Sequence, residues 1–131
     1  MTISKDTQRQ YPLFAMKRFS YADLTSGAQV QMIDLPGGAV ILDGGVVIET
    51  AFNSATSDAL VVGDSNGANV LKSSFSIAST GRTALTPAGG AYPAKDSVRM
   101  TWTGSGTAPS AGAGFIWCRY AIEGRQNEVQ P

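Results

Sequence analysis

Short apolar runs alternate with clusters of Gly, Pro, Asn and Ser from Leu13 to the end of the chain. Runs of this length, separated by turn-forming residues, are typical of β-strands. The pattern predicts eight short strands at residues 13–20, 28–35, 39–42, 45–51, 59–62, 75–79, 97–103 and 114–122. No stretch has the apolar spacing of a long helix. One capped turn is expected after Ser20, which has the residue type of an N-cap.

The details of single runs predict how the strands turn and which faces they bury. Asp43-Gly44 separates two apolar pairs, which predicts a hairpin at this point. Trp102 and Trp117 each alternate with other apolar residues, so both are expected in the core. Residues 114–122 are apolar on both faces apart from Arg119. Such a strand is either central in its sheet or has one face that meets a partner.

Eight short strands with frequent turns predict an all-β fold, an antiparallel β-sandwich that is jelly-roll-like. An Ig-like sandwich and a small barrel have similar strand numbers and stay open. The length of 131 residues suits one domain. We expect a single β-sandwich at residues 13–122, a polar N-terminal arm at residues 1–12 and a C-terminal arm at residues 123–131. Both arms are expected to be flexible or to be ordered by a partner.

Charge and composition narrow the possible partners. Ten basic residues balance ten acidic residues, so no net field attracts nucleic acid or an anionic membrane. We therefore predict no direct nucleic-acid binding and no membrane association. The first residues lack the apolar core of a signal peptide. The single cysteine, Cys118, cannot form an internal disulfide. Synthesis in a reducing cytoplasm is expected.

The residues that suggest catalysis or metal binding lack the partners that such chemistry needs. Gly63-Asp64-Ser65 resembles the nucleophile block of SGNH-type hydrolases, but the sequence contains no histidine to act as a base. Cys118 lies in an apolar run and is expected to be a small buried hydrophobe. Asp58 and Asp64 lack the spacing of a calcium loop and are expected in solvated Asx turns, although calcium binding stays open. We predict no enzyme, no cofactor and no metal site.

Binding is the class of function that remains. A carbohydrate-binding or receptor-binding module needs two or more exposed aromatic rings on one face. Tyr92 lies in a glycine-rich loop before Pro93 and is the aromatic residue of the C-terminal half that we expect to be exposed. One exposed ring does not form a platform.

Six blocks of the sequence resemble proteins that are encoded in the head modules of tailed bacteriophages. The blocks are FSYADL at 19–24, LPGGAV at 35–40, TAFNSATSD at 50–58, VGD at 62–64, GTAPSAG at 106–112 and GR-x-NEVQ at 124–130. Together they extend over nearly the whole chain, and no block contains catalytic residues.

The resemblance implies a head cement protein, also called a decoration protein, with a jelly-roll fold. Such a protein is expected on the outer surface of the virion capsid after synthesis in the host cytoplasm. It would bridge subunits of the major capsid protein and associate with itself as a homodimer or homotrimer. Residue type and position suggest partner contacts at Tyr11, Leu13, Phe14, Tyr92, Asn127 and Val129.

Overall fold

The computed structural model describes Lys5 and residues 9–124. The described residues form eight β-strands and one turn of 3₁₀ helix at Tyr21–Asp23. The strands are β1 (Leu13–Ser20), β2 (Gln29–Leu35), β3 (Ala39–Thr50), β4 (Ser57–Asp64), β5 (Gly67–Ser76), β6 (Gly81–Ala84), β7 (Asp96–Ser105) and β8 (Ala113–Ile122). No helix in this part of the chain is long and apolar enough to cross a membrane.

The strands form two four-stranded antiparallel sheets that pack as a sandwich. The first sheet has the order β1-β8-β3-β6, and the second has the order β2-β7-β4-β5. The first strand therefore pairs with the eighth, the second with the seventh, the third with the sixth and the fourth with the fifth. This nested pairing is the topology of a jelly roll. The predicted sandwich is confirmed, and the Ig-like and barrel alternatives are excluded.

The core consists of the inward-facing residues of the two sheets. The fully buried side chains include Leu35, Leu60, Val62, Ile77, Val98, Met100, Ile116 and Cys118. Phe52 joins the aromatic part of the core, because its ring lies 6.2 Å from Phe19 and 6.1 Å from Trp102. Trp102 is buried, as its alternation predicted.

The predicted hairpin at Asp43-Gly44 is wrong, because β3 continues without a turn from Ala39 to Thr50. A bulge between Ile41 and Asp43 shifts the register of β3 against β8. The need for glycine here is steric rather than conformational. A Cβ on Gly44 would lie 2.7 Å from both Leu85 Cδ1 and the carbonyl oxygen of Trp117. Gly44 therefore permits close packing within a continuous strand.

Two other strands also differ from the prediction. The prediction starts a strand at Phe75, whereas β5 begins at Gly67, directly after a two-residue turn that follows β4. The four residues of β6 were not predicted as a strand, because Gly81–Ala84 contains no apolar alternation. The predicted capped turn after Ser20 is confirmed, since Asp23 Oδ2 accepts hydrogen bonds from Ser20 N at 2.9 Å and Ser20 Oγ at 3.1 Å.

The antiparallel pairing places the start of β1 beside the end of β8, at one end of the sandwich that we call the terminal end. The Gly38 amide donates to the carbonyl oxygen of Tyr92 at 2.7 Å, and the Glu123 amide donates to that of Gly38 at 2.8 Å. Gln10 binds both backbone groups of Ile122, with Nε2 donating to the carbonyl oxygen at 2.7 Å and Oε1 accepting from the amide at 3.0 Å. Gln10 of the N-terminal arm and Glu123 of the C-terminal arm therefore lie at the same end of the sandwich as the loop that contains Tyr92.

Candidate functional site

Exposed apolar side chains concentrate on β1 and the residues just before it. Seven large hydrophobic residues are exposed in the described part of the chain. Four of them, Tyr11, Leu13, Phe14 and Met16, lie within six consecutive positions. Tyr11 is 74% exposed and Phe14 is 61% exposed. Since monomeric proteins seldom expose such clusters, this segment is the strongest candidate for a binding surface.

The exposed side of β1 continues onto β8 as an aromatic surface. Phe14 and Met16 stand on the outer side of the first sheet, and Met16 is opposite Trp117 in the β1–β8 register. The rings of Phe14 and Trp117 are stacked, with centroids 5.7 Å apart and planes 23° apart. The prediction that Trp117 is in the core is wrong. The inward positions of β8 belong instead to Ile116 and Cys118, which are both fully buried.

Gly45 on β3 lies beneath the indole of Trp117. A Cβ on Gly45 would be 3.0 Å from Trp117 Nε1 and 3.4 Å from Cε2. The absence of a side chain on β3 therefore leaves space for the ring to extend over the neighbouring strand. We call the outer surface formed by Phe14, Met16, Phe115 and Trp117 the aromatic face.

Ion pairs within the chain neutralise the charged residues beside the aromatic face. Arg18 Nη1 is 2.5 Å from Glu49 Oε1, and the Arg18 guanidinium also lies 5.2 Å from the centre of the Phe115 ring. Arg119 donates two hydrogen bonds to Asp43, at 3.0 and 2.8 Å. Exposed pairs of this kind add little to stability. They leave an apolar surface whose flanking charges are already satisfied.

Of the predicted contact residues that the structure describes, Tyr92 is not the exposed ring that we expected. Tyr92 is half-buried, and its hydroxyl donates to Asp64 Oδ2 at 2.6 Å. Burial and this bond raise the pKa of Tyr92 above its usual value. Tyr11, Leu13 and Phe14 lie at the same terminal end, because two hydrogen bonds hold the preceding residue, Gln10, against Ile122 at the end of β8. Asn127 and Val129 lie outside the described residues.

Two acidic residues that we expected in solvated turns are buried. Asp58 accepts hydrogen bonds from Trp102 Nε1 at 2.9 Å and from the backbone amide and hydroxyl of Ser54. Asp64 accepts from Tyr92 and from the Asn66 amide at 2.7 Å, and the second of these bonds confirms the predicted Asx turn. The expectation of solvent exposure failed because each carboxylate also accepts a hydrogen bond from a ring that is distant in sequence, Trp102 for Asp58 and Tyr92 for Asp64.

The geometry around Ser65 does not create a nucleophile. Ser65 Oγ donates to Asp96 Oδ2 at 2.7 Å. Burial acts to raise the pKa of Asp96, but hydrogen bonds from Ser65 and Ser97 outweigh it and lower the pKa. An acid with a lowered pKa is a weak base and cannot remove the serine proton effectively. Burial also raises the pKa of the Cys118 thiol to about 11, so it stays protonated at neutral pH.

Metal binding and small-ligand binding find little support in the described residues. This part of the chain contains no group of three or more His, Cys, Asp or Glu residues that could hold a metal ion. A groove of about 430 Å³ lies at the terminal end between the β6–β7 loop and β5. Asp64 and Tyr92, which line this groove, are hydrogen-bonded to each other. A second groove of about 220 Å³ lies between β1 and β2.

No protein-family model matches this chain, and no curated protein sequence matches it. Three solved structures share its fold. A chain in the capsid asymmetric unit of cyanophage Pam1 superposes with a TM-score of 0.69 and 16% identity, over 93% of this chain and 91% of that chain. A chain in the acidic stable capsid of Helicobacter pylori bacteriophage KHP30 has a TM-score of 0.66 and 12% identity, over 86% and 88%. A chain in the capsid of Ralstonia phage GP4 has a TM-score of 0.64 and 16% identity, over 93% and 90%.

The superpositions cover 86–93% of this chain and 88–91% of the matched chains. Each matched chain is therefore about as long as this one and consists mainly of the same sandwich. At identities of 12–16% the likeness shows a common fold. This chain therefore has a jelly-roll fold that is also present in the capsids of three phages.

Proposed function

We propose that this chain is a non-enzymatic structural protein of a phage virion. In this proposal it decorates the outer surface of the capsid and cements the shell by bridging subunits of the major capsid protein. The shared fold with chains of three phage capsids supports the virion role. The observation that carries the binding role is the run of four exposed apolar residues between Tyr11 and Met16.

The exposed apolar surface supplies the attraction that such a role needs. Removing apolar surface from water contributes roughly 25 cal/mol per Å². The stabilisation from one copy of this contact is modest, but many copies on a symmetric lattice add their stabilisation. The net charge of zero lets neighbouring copies approach without mutual repulsion. Each property favours repeated docking onto a protein surface.

The proposed contacts differ in how accessible they are. Tyr11, Leu13 and Phe14 are exposed and can bind the shell directly. Tyr92 is half-buried, so it would stabilise the conformation of the terminal end as well as contact the partner. Asn127 and Val129 lie outside the described residues and stay a proposal from residue type and position. We also propose self-association as a homodimer or homotrimer.

Rebinding to shells tests the proposal. Capsids of the phage that encodes this chain would be stripped of it and mixed with the purified protein. We expect saturable cosedimentation at a constant ratio to the major capsid protein, together with a higher melting temperature of the shell. A protein that stays in the supernatant at all concentrations would contradict cementing.

The aromatic face favours a second candidate, a carbohydrate-binding or receptor-binding module of a phage tail. The exposed ring of Phe14 stacks on the half-buried ring of Trp117 on one outer surface, and such a module binds its ligand through aromatic rings on one face. Binding to a panel of glycans separates the two candidates. Saturable glycan binding that is lost in Trp117→Ala, without binding to shells, would favour the tail module.

A further inference from the structure

We propose that Asn66 is a site of spontaneous deamidation, at which the folded protein converts this asparagine to aspartate and isoaspartate without an enzyme. The inference goes beyond the proposed function and does not depend on it. Asn66 is exposed at the second position of the two-residue turn between β4 and β5, and Gly67 follows it. The co-reactant is water.

The reaction begins at the backbone nitrogen of Gly67. This nitrogen loses its proton to water and bonds to Asn66 Cγ, while the Cγ–Nδ2 bond breaks and the NH₂ group, protonated by water, leaves as ammonia. The product is a succinimide ring. Water then opens the ring, which gives aspartate if the new bond to Cγ breaks and isoaspartate if the bond to the main-chain carbonyl carbon breaks. Glycine favours the attack because it has no Cβ to obstruct the approach of its nitrogen.

The first argument is that the Asn66 side chain is available to react. The hydrogen bonds of the turn hold its backbone, since the Asn66 amide donates to Asp64 Oδ1 at 2.7 Å and the Ser65 amide donates to Asp96 Oδ1 at 3.2 Å. The side-chain amide of Asn66 has no hydrogen-bond partner among the described residues. Its Cγ can therefore be attacked without first breaking a side-chain contact.

The other asparagines in the described part of the chain lack one of these two conditions. Asn53 is held by three hydrogen bonds, one to the Ser110 hydroxyl and two from the backbone amides of Ser110 and Ala111. Asn69 is exposed on β5 but precedes Val70, a branched residue that crowds the backbone nitrogen. Both positions therefore serve as internal references for Asn66.

The second argument is that a single residue pair closes the turn. Asp64 pairs with Gly67, and the next pair of the ladder is Val62 with Lys72. A register shift separates the two pairs and leaves residues 68–71 of β5 out of the regular ladder. Such a bulge disrupts the hydrogen bonding of the two strands locally. The turn can therefore open without separating the rest of β4 from β5, which lets the glycine nitrogen reach the asparagine side chain.

Deamidation would add a carboxylate close to two existing ones. Asp64 is 5% exposed and accepts a hydrogen bond from the Tyr92 hydroxyl, and Asp96 accepts one from Ser65 Oγ in the same turn. Neighbouring like charges repel each other. Isoaspartate would also lengthen the backbone of the turn by one methylene group. Both products should therefore weaken the contact between the turn and the loop that contains Tyr92, and the melting temperature of the aged protein should fall.

Incubation of the folded, purified protein at neutral pH tests the inference. Mass spectrometry of its peptides measures the gain in mass where –OH replaces –NH₂, and electron-transfer fragmentation distinguishes aspartate from isoaspartate. We expect the conversion at Asn66 to be at least about tenfold faster than at Asn53 and Asn69. Equal rates at these positions, or no conversion at Asn66 over several weeks, would overturn the inference.

Gly67→Ala is the matched variant. A Cβ at this position would meet Val70 Cγ1 at 2.8 Å and no backbone atom, so the exposed side chain of Val70 can turn aside while the backbone of the turn stays in place. The added methyl group obstructs the attack, and the conversion should slow by at least about fivefold. An unchanged rate in this variant would contradict the mechanism.

A sample of the protein unfolded in urea separates the reactivity of the chain from the effect of the turn. We expect Asn66 to convert in both the folded and the unfolded sample. Conversion in urea with none in the folded protein would overturn the inference, because the folded turn would then protect Asn66. Shell binding enters neither measurement, so failure of the proposed function would leave these results unchanged.

Discussion

The indole N–H of Trp102 donates to Asp58 Oδ1 at 2.9 Å inside the sandwich, where Asp58 is 2% exposed. The same oxygen accepts from Ser54 Oγ at 2.6 Å, and Oδ2 accepts from the Ser54 amide at 2.9 Å. A buried carboxylate is tolerated when hydrogen bonds replace its water. This one joins the β3–β4 loop to β4 and β7, and it satisfies the polar end of a core tryptophan.

Replacing Asp58 by Asn should lower the free energy of unfolding by about 1–3 kcal/mol. The amide can accept at only one of the two positions, so its NH₂ group would face a donor of either Ser54 or Trp102. Urea unfolding measures the change. Asp34→Asn is the control, since Asp34 is exposed on β2 and the same substitution there should change stability by less than about 0.5 kcal/mol. Equal effects at both positions would contradict the role of the Asp58 bonds.

Gly63 should tolerate no side chain. A Cβ there would overlap the carbonyl oxygen of Gly67 and lie 2.5 Å from the carbonyl carbon of Ala68, and both are backbone atoms of β5. Gly63→Ala should therefore cost roughly 2–4 kcal/mol in unfolding free energy. Gly89→Ala is the matched control, because a Cβ at Gly89 meets nothing within 4 Å. Thermal unfolding of the two variants measures the difference, and a stable Gly63→Ala protein would refute the steric argument.

Stability should fall as the pH rises above about 9. Burial raises the pKa of Cys118 from 9.0 to about 11. Between these values the unfolded chain loses the thiol proton while the folded chain keeps it, so the unfolded state binds fewer protons. The free energy of unfolding therefore decreases with rising pH, by up to about 1.4 kcal/mol per pH unit from this group.

Urea titrations between pH 8 and pH 11 under reducing conditions check this prediction. Cys118→Ala is the comparison, because it removes the thiol and should flatten the decline, whatever its own effect at neutral pH. The raised pKa of Tyr92 acts in the same direction at higher pH, so a smaller decline should remain in the variant. An identical pH dependence in both proteins would show that Cys118 does not contribute.

Phe14→Ser should weaken shell binding by at least about tenfold, because it removes an apolar ring from the proposed contact. Its effect on unfolding should stay below about 1.5 kcal/mol, since Phe14 is 61% exposed and its ring stacks on Trp117. Loss of the stacked ring should also shift the tryptophan emission to longer wavelengths. Tyr21→Ser, at the opposite end of the sandwich from the arms, is the control. Undiminished binding by Phe14→Ser would remove Phe14 from the contact.

Several local features follow from the sequence alone. The bounds of β1 agree with the prediction, the Ser20 turn forms, and Asp64 makes its Asx turn. These features depend on residues that are close in sequence, so the alternation of apolar residues and the turn-forming residue types are enough to predict them. The sandwich class follows in the same way from the number and length of the apolar runs.

The surface of the candidate site was not predicted, because it depends on contacts between strands that are distant in sequence. Trp102 and Trp117 have the same kind of alternating neighbours, but only the face of each strand that the opposite sheet covers becomes core. Asp43-Gly44 suggests a turn, although Gly44 and Gly45 lie within a strand and leave room for Leu85 and the Trp117 ring. Alternation along one strand indicates only that the strand has two different faces. Which face becomes a binding surface is decided by the sheet that packs against it, and only the tertiary structure contains that information.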